Sequence, residues 1–227
     1  MVSGEQGEIV PGVTDRIRSW APEWLRALAR LVRSSQARQD ARHELRRRMR
    51  GEPALPDGPL RHLLVLCHGN ICRSPFAEVL LAARLPAREV RSAGLHAGDG
   101  NPADPSAVAC AQRMGISLAA HRSARVGADL LGWADLVLVM QGTHVAEIER
   151  RWPQFAGRVR LLGDYLPGPP HLLPDPYGHD ASVFDRVFAR LRSAVEGLAA
   201  RIEAQRAGNG PTPPRSLPGQ PAAGSRD

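Results

Sequence analysis

The feature that most constrains this chain is an apolar run that leads into a short loop and then a helix. Residues 63–66 read Leu-Leu-Val-Leu, which predicts a β-strand. Cys67 follows at once, then five residues, then Arg73, Ser74 and Pro75, a proline suited to a first helical turn. A strand, a tight loop and a helix in this order indicate an α/β domain, in which such turns are candidate sites.

The composition of this loop points to phosphate chemistry. A thiol attacks as its thiolate, and a phosphate dianion needs many donors, so converging N–H groups at a helix N-terminus stabilise both anions. We therefore expect Cys67 to be a nucleophile and Arg73 to hold two phosphate oxygens with its planar fork. Ser74 can donate its hydroxyl to the sulfur, Gly69 permits close backbone approach, and Asn70 tolerates a left-handed backbone. The loop residues expected to bind phosphate are His68, through its backbone, Gly69, Asn70, Ile71, Cys72 and Ser74.

From residue 61 onward, short apolar strands alternate with helical segments, a pattern typical of a parallel sheet. The predicted fold class is α/β, a four-stranded parallel sheet flanked by helices. Strands are predicted at residues 62–66, 90–92, 136–140 and 159–161. Helices are predicted at residues 75–84, 105–114, 143–151 and 181–204.

The ends of the chain differ from this middle part. Residues 1–60 are expected to form a basic helical extension, with one helix opening at Pro22, another at about 36–50, and a Pro/Gly linker after it. The second helix carries little apolar surface beyond Leu45 and Met49, so it is predicted to be an arm rather than part of the hydrophobic core. The phosphate-binding domain is assigned to residues 61–204. Residues 205–227 lack large apolar side chains and are expected to be a disordered tail.

Charge and cysteine usage narrow the function classes. The formal net charge is +7, but residues 61–204 carry 16 Arg against 14 acidic residues, so this middle part is nearly neutral and most of the excess lies in the two ends of the chain. We expect no nucleic-acid partner, because no aromatic residues interleave with the Arg run to stack on bases. Peripheral contact of the arm with a membrane or an acidic partner stays open. The three cysteines have neither a disulfide nor a zinc spacing, and no apolar run is long enough to span a bilayer. We therefore expect a protein of the reducing cytoplasm.

The loop resembles the active-site signature of low-molecular-weight protein-tyrosine phosphatases, with its Gly-Asn pair, second cysteine and Arg-Ser-Pro. The resemblance spans about residues 61–204 and includes Ser92-Ala93-Gly94-Leu95, Asn101-Pro102-Ala103-Asp104-Pro105, Gly115-Ile116, His121, the stretch from Ala134 to Met140, and Asp175-Pro176-Tyr177-Gly178. It implies a phosphocysteine mechanism without metal or organic cofactor. It also implies that Asp175 is the general acid, that Tyr177 lines the pocket, and that Cys72 can form a reversible disulfide with Cys67.

The chain departs from the family pattern beside the pocket. Many members carry a bulky aromatic residue after Ser-Ala-Gly, whereas this chain has Leu95-His96-Ala97-Gly98-Asp99. That segment resembles the bacterial branch associated with exopolysaccharide synthesis, which implies a phosphotyrosine protein as substrate, with an autophosphorylated bacterial tyrosine kinase as one candidate. Gln141 also replaces a more usual acidic or polar residue, with no evident consequence.

Two other readings remain. Arsenate reductases share the scaffold, but their thioredoxin-coupled type needs two further cysteines, and only Cys110 remains, on a predicted core helix. A phosphate-binding adaptor with a basic docking arm is the other alternative. An intact set of Cys67, Arg73 and Asp175 argues against a purely binding role.

Overall fold

The computed structural model describes residues 35–208, so the predicted helix opening at Pro22 and most of the predicted tail lie outside the described residues. The strands are β1 (His62–Cys67), β2 (Glu89–Gly94), β3 (Leu136–Val139) and β4 (Val159–Leu161). The helices are α1 (Ser35–Arg50), α2 (Arg73–Arg84), α3 (Pro105–Arg113), α4 (Ala128–Trp133), α5 (Gly142–Arg151) and α6 (Ala181–Gly208), with 3-10 turns at Pro153–Arg158 and Leu162–Tyr165. None of these helices is long and apolar enough to cross a bilayer.

The four strands form one parallel sheet in the order β2-β1-β3-β4, which confirms the predicted fold class. The chain builds β2 on one side of β1 and then crosses to the other side to build β3. The strand order therefore reverses between β1 and β3, and in open parallel sheets the crevice at the carboxyl ends of such strands is where ligands bind. The Cys67 loop follows β1 and Gln141 follows β3, so both lie at this crevice.

Helices cover both faces of the sheet, which explains why the strands read as continuous apolar runs rather than alternating ones. Leu63 and Val65 of β1 belong to the core on one face, shared with α2, α3 and α6. Leu64 and Leu66 belong to the core on the other face, shared with α4 and α5. All four leucine and valine side chains are fully buried. The central strand is thereby held rigidly behind the loop that follows it.

The largest differences from the sequence prediction are one additional helix and a longer C-terminal helix, while the other boundaries shift by at most two residues. Helix α4 was not predicted, because six residues give too short a periodic pattern to recognise. Helix α6 continues to Gly208, so residues 205–208 belong to the helix and not to the predicted tail. Ile202 is buried near this end, and the Gln205 side chain donates to the Pro56 carbonyl at 3.2 Å. These contacts stabilise one more turn of helix. The composition of residues 205–208 alone favours neither helix nor disorder.

Helix α1 was predicted to be more arm than core, and the structure corrects this by packing it against the domain. His43 Nε2 lies 2.7 Å from Asp164 Oδ1, and Arg47 donates to the Asp164 carbonyl oxygen at 3.0 Å. Asp164 is only 2% exposed. These contacts are polar and charged, so they leave no apolar stripe in the sequence of the helix.

Gly197 provides a test of how closely α6 packs on the 3-10 turn before it. A Cβ at this position would collide with the Tyr165 carbonyl oxygen. Alanine is favoured over glycine inside a helix by about 1 kcal/mol, but overpacking of this kind costs about 1–3 kcal/mol and here falls on backbone. We predict that Gly197→Ala lowers the free energy of unfolding, measured as a lower urea midpoint at unchanged slope.

The matched control is Gly132→Ala in α4. A Cβ there would meet only the Phe155 ring, at 3.8 Å, which is an ordinary contact. Its urea midpoint is expected to stay the same or rise. If Gly197→Ala were as stable as Gly132→Ala, α6 would not pack as closely on Tyr165 as described.

Candidate active site

The loop between β1 and α2 closes around the Cys67 sulfur. The Asn70 N–H donates to Cys67 Sγ at 3.2 Å, and Ser74 Oγ lies 3.0 Å from the same sulfur. Cys67 is 2% exposed, so few water molecules can compete for it. Asn70 has a φ of +53°, the left-handed conformation expected from the sequence. The loop therefore supplies hydrogen-bond donors to a thiolate, as its residue types predict.

The buried side chain of Asn70 sets the direction of the hydrogen bonds in the loop. Its Oδ1 accepts from the Ala124 N–H at 2.9 Å, which assigns Nδ2 as the donor end. Nδ2 donates to Ser74 Oγ at 2.9 Å and to Ser92 Oγ at 2.8 Å. Because Ser74 Oγ accepts from Asn70, its own hydrogen can point at the Cys67 sulfur, 3.0 Å away, rather than at the more distant Ala93 carbonyl oxygen at 3.5 Å. This agrees with the role expected for Ser74.

Three supporting residues were not assigned a role from the sequence. Ser92 Oγ accepts from Asn70 and donates to Glu78 Oε2 at 2.6 Å. His121 Nε2 lies 2.7 Å from the Asn70 carbonyl oxygen. Ser92 and His121 lie within segments that carried the family resemblance, which was the available signal. Glu78 gave none, because it is an ordinary helix residue in sequence.

The glycine that the loop requires sterically is Gly94 rather than Gly69. A Cβ at Gly94 would lie 2.8 Å from the His68 carbonyl oxygen and 2.9 Å from the Asn70 nitrogen. At Gly69 a Cβ would meet only the Ile71 side chain, at 3.6 Å, an ordinary contact. The close approach expected of Gly69 is thus not needed by the protein's own packing. Gly94, at the end of β2, is what lets this strand lie against the loop.

Arg73 begins α2, and its guanidinium is buried and held by three hydrogen-bond acceptors. It is 1% exposed, and its Nη1 donates to the Leu173 carbonyl at 3.0 Å and to Gln141 Oε1 at 3.2 Å. Its Nη2 pairs with Asp175 Oδ2 at 2.5 Å. Its Nε is buried without a hydrogen-bond partner among the described residues, so the Nε side of the fork has donor capacity left. Gln141, whose significance the sequence did not reveal, thus helps to orient Arg73.

A cavity of about 170 Å³ opens above the sulfur and is lined by Cys67, His68, Gly69, Ile71, Cys72, Asp175 and Tyr177. Asp175 also accepts the Tyr177 N–H, at 3.2 Å, which sets the turn of this loop. Tyr177 is 61% exposed, as a ring at the mouth of a cavity would be. The structure therefore brings together the predicted nucleophile, the predicted acid and the predicted aromatic residue.

Histidines stand where the family often has a bulky aromatic residue. The rings of His68 and His96 stack with centroids 4.7 Å apart. His96 Nε2 lies 3.0 Å from Glu147 Oε2, which anchors this ring to α5. The His68 ring thus packs on an anchored ring, and His68 also lines the cavity beside Cys67.

His144 lies nearby but is unsuited to proton transfer at neutral pH. It is 4% exposed, and burial, followed by the positive charge of Arg73, lowers its pKa to about 3. The ring is therefore neutral under ordinary conditions. Asp175 is left as the carboxyl group among the residues that line the cavity.

The other two cysteines differ in their relation to the site. Cys72 lines the same cavity as Cys67 but is 3% exposed. Burial, followed by the nearby acidic residue Asp104, raises the pKa of its thiol far above the ordinary value, so it stays protonated. Cys110 is fully buried on α3, where its Sγ donates to Asp185 at 3.1 Å. Its expected place in the core is confirmed.

Comparison with known proteins identifies this arrangement. The sequence model of the family described as low molecular weight phosphotyrosine protein phosphatase matches residues 62–208. The low molecular weight protein-tyrosine-phosphatase Ptp of Acinetobacter johnsonii is 38% identical over 142 residues, which cover 63% of this chain and 98% of the relative.

Two solved structures share the fold. The tyrosine phosphatase Wzb of Escherichia coli K30, in complex with sulphate, aligns with a TM-score of 0.61 and 36% identity, covering 63% of this chain and 99% of the other. The YwlE arginine phosphatase of Geobacillus stearothermophilus aligns with a TM-score of 0.62 and 30% identity, covering 66% and 97%. Since the family match spans well over half of the sequence, this chain belongs to the low molecular weight phosphotyrosine protein phosphatase family.

Proposed function

We propose that this chain hydrolyses phosphotyrosine in proteins through a phosphocysteine at Cys67. The observation that carries the proposal is that Cys67 and Asp175 line one cavity and that Asp175 is paired with the buried Arg73. The Cys67 sulfur accepts hydrogen bonds from its own loop, while Arg73 and Asp175 stand opposite, joined at 2.5 Å. Hydrolysis of a phosphate monoester needs a nucleophile, a cationic clamp and a proton donor. Here the nucleophile and the proton donor share one small cavity, and the clamp is paired with the proton donor.

In the first step, Cys67 Sγ attacks phosphorus and the bond from phosphorus to the phenolic oxygen breaks. Asp175, in its protonated form, gives its proton to that oxygen, so tyrosine leaves as a neutral phenol. The Nε and Nη2 side of Arg73 donates to two equatorial oxygens of the transferring group. Ser74 and the Asn70 N–H stabilise the sulfur before attack.

In the second step, Asp175 acts as a carboxylate. It takes a proton from water, the water oxygen attacks phosphorus, and the bond from sulfur to phosphorus breaks. Inorganic phosphate leaves and Cys67 returns as a thiolate. Positive charge from Arg73 and the loop N–H groups serves both steps, so the mechanism needs no metal ion or organic cofactor.

Phosphotyrosine is favoured over phosphoarginine by the walls of the cavity. Ile71 and Tyr177 provide apolar and aromatic contact for a flat ring. A guanidinium group would call for acidic partners, and Asp175 is the single carboxyl group among the lining residues. Phosphoarginine is kept as a second candidate, because one of the similar structures is an arginine phosphatase.

The wider context is also proposed. An autophosphorylated bacterial tyrosine kinase is the candidate substrate, in line with the branch that the sequence resembles. Peripheral contact through the basic arm is supported by the exposure of Arg42 and Arg46. The cytoplasmic location stays a prediction. Neither alternative function gains support, since Cys110 is buried and the catalytic groups are intact.

A paired substrate assay tests the proposed function. We expect the protein to release phosphate from a phosphotyrosyl peptide in the presence of a chelator, with kcat/KM at least tenfold higher than for the matched phosphoarginyl peptide. Cys67→Ser should be inactive on both. A higher kcat/KM for the phosphoarginyl peptide would show that phosphoarginine, and not phosphotyrosine, is the substrate. Activity retained by Cys67→Ser would reject the mechanism.

A second prediction concerns Asp175. A general acid contributes typically ~10²–10⁴-fold, and most when the leaving oxygen is a poor leaving group. In Asp175→Asn, single-turnover formation of the phosphoenzyme should slow strongly for phenyl phosphate and much less for p-nitrophenyl phosphate. Equal losses for the two esters would show that Asp175 is not the acid.

A third prediction concerns Cys72. Peroxide should oxidise the Cys67 thiolate to a sulfenic acid, which condenses with the Cys72 thiol to a disulfide and releases water. The raised pKa of Cys72 keeps it out of the first reaction but leaves it available for the second. Dithiothreitol should then restore most activity in the natural protein and much less in Cys72→Ser. Equal recovery of both would contradict this role.

A further inference from the structure

Helix α1 lies outside the family match, yet it packs beside the residues that orient the catalytic groups. The match begins at residue 62, whereas α1 spans Ser35–Arg50. Its inner side contacts the stretch from Asp164 to His171 and the start of α5 at Gly142. Residues of this extension therefore meet segments of the phosphatase domain that lead directly to the active site.

The central contact joins Glu44 of α1 to His171. The Glu44 carboxylate accepts the His171 backbone N–H at 3.0 Å, and the His171 ring Nδ1 lies 3.2 Å from its other oxygen. His171 is 8% exposed. Burial raises the pKa of Glu44, but the hydrogen bonds from His171 and the charge of Arg48 outweigh it and leave this pKa below its ordinary value. The acceptor of the His171 N–H is thus a carboxylate at neutral pH.

His171 precedes the two points at which its segment holds the active site. The Leu173 carbonyl accepts from Arg73 Nη1 at 3.0 Å, and Asp175 pairs with Arg73 Nη2 at 2.5 Å. A displacement at His171 is therefore transmitted within a few residues to Asp175 and to the orientation of Arg73.

The segment from Pro170 to Pro174 is packed closely on one side and borders a cavity on another. The His171 backbone lies against Gly163, where an added Cβ would collide with the His171 carbonyl oxygen. A cavity of about 430 Å³ lies between α1, α6 and residues 170–174, and its lining includes Asp40, Gln141 and Leu173. Arg190 of α6 donates to the Leu172 carbonyl at 3.3 Å and also contacts the Pro170 carbonyl. On the cavity side, where packing is open, hydrogen bonds from Arg190 and to Glu44 hold the segment.

We propose that Glu44 is a positioning residue for the general acid, so that α1 braces the segment carrying Asp175. This rests on the proposed function, because it assigns Glu44 a role in the proton transfer made by Asp175. Glu44 touches no reacting atom and acts through His171. Since displacement of a catalytic group by about 1 Å can cost up to ~10²-fold in rate, loss of the Glu44 contact should have a measurable effect.

The test uses the full chain and the difference between two esters. In Glu44→Ala, single-turnover phosphoenzyme formation should slow about tenfold for phenyl phosphate and about twofold or less for p-nitrophenyl phosphate, since the latter needs little help from an acid. Glu44→Gln keeps an oxygen for the His171 N–H and should recover part of the loss. Arg42→Gln, on the exposed side of the same helix, should stay within about twofold of the natural protein for both esters.

A double variant separates positioning from damage to the fold. In Asp175→Asn, adding Glu44→Ala should cause little further loss for phenyl phosphate, because no acid is left to position. An equal loss for both esters in Glu44→Ala, or a full further loss in the double variant, would overturn the proposal.

If Glu44→Ala does not fold, His171→Gln and Glu44→Gln carry the same ester comparison from the two sides of the contact. Equal slowing of both esters, or no slowing of either, in these two variants would overturn the positioning role. If the natural protein hydrolysed neither ester, the proposed function would fail and the positioning role with it. A protein active on both esters whose Glu44 variants keep the natural ester ratio would reject only the role of Glu44.

Discussion

The active-site loop depends on the hydrogen bonds of one buried residue, Asn70. Its backbone takes a left-handed conformation and turns its N–H toward the Cys67 sulfur at 3.2 Å. Its side-chain amide joins Ser74, Ser92 and the Ala124 N–H. An unsatisfied buried polar group costs about 1–3 kcal/mol, so loss of one partner would weaken the whole set. Because each member directs the next, the network also aims the Ser74 hydroxyl at the nucleophile.

The groups that hold Arg73 come from distant parts of the chain. Arg73 is buried beside the nucleophile loop, and its guanidinium is held by Gln141 after β3 and by the Leu173 carbonyl. Asp175 reaches the same guanidinium from the opposite side. Dipoles and charges that are already oriented need little reorganisation when charge shifts during reaction, which is the main source of electrostatic catalysis. Residues that contribute nothing to the chemistry itself, such as Gln141, matter because they keep this orientation.

Helix α1, which lies outside the family domain, also contacts residues that lead to the catalytic groups. It meets the domain through His43, Glu44 and Arg47, all of which interact with the region around Asp164 and His171. The contact is built from charged groups over a cavity rather than from an apolar interface. An extension of this kind can adjust how firmly a catalytic loop is held without altering any residue that touches substrate.

The sequence by itself determined the parallel α/β fold, the strand–loop–helix around Cys67 and the residue types that make this loop a phosphate cradle. These follow from short-range rules, because the hydrogen bonds to the Cys67 sulfur come from residues at most seven positions away, Asn70 and Ser74. The position of Asp175 was known only through resemblance, since an Asp-Pro pair is an ordinary turn in sequence. Only the tertiary structure decided that Gly94 must be small, that Gln141 holds Arg73, and that Glu44 reaches His171. Such contacts join residues from 24 to about 130 positions apart in the chain, and they depend on how the sheet and its helices pack, which no local pattern encodes.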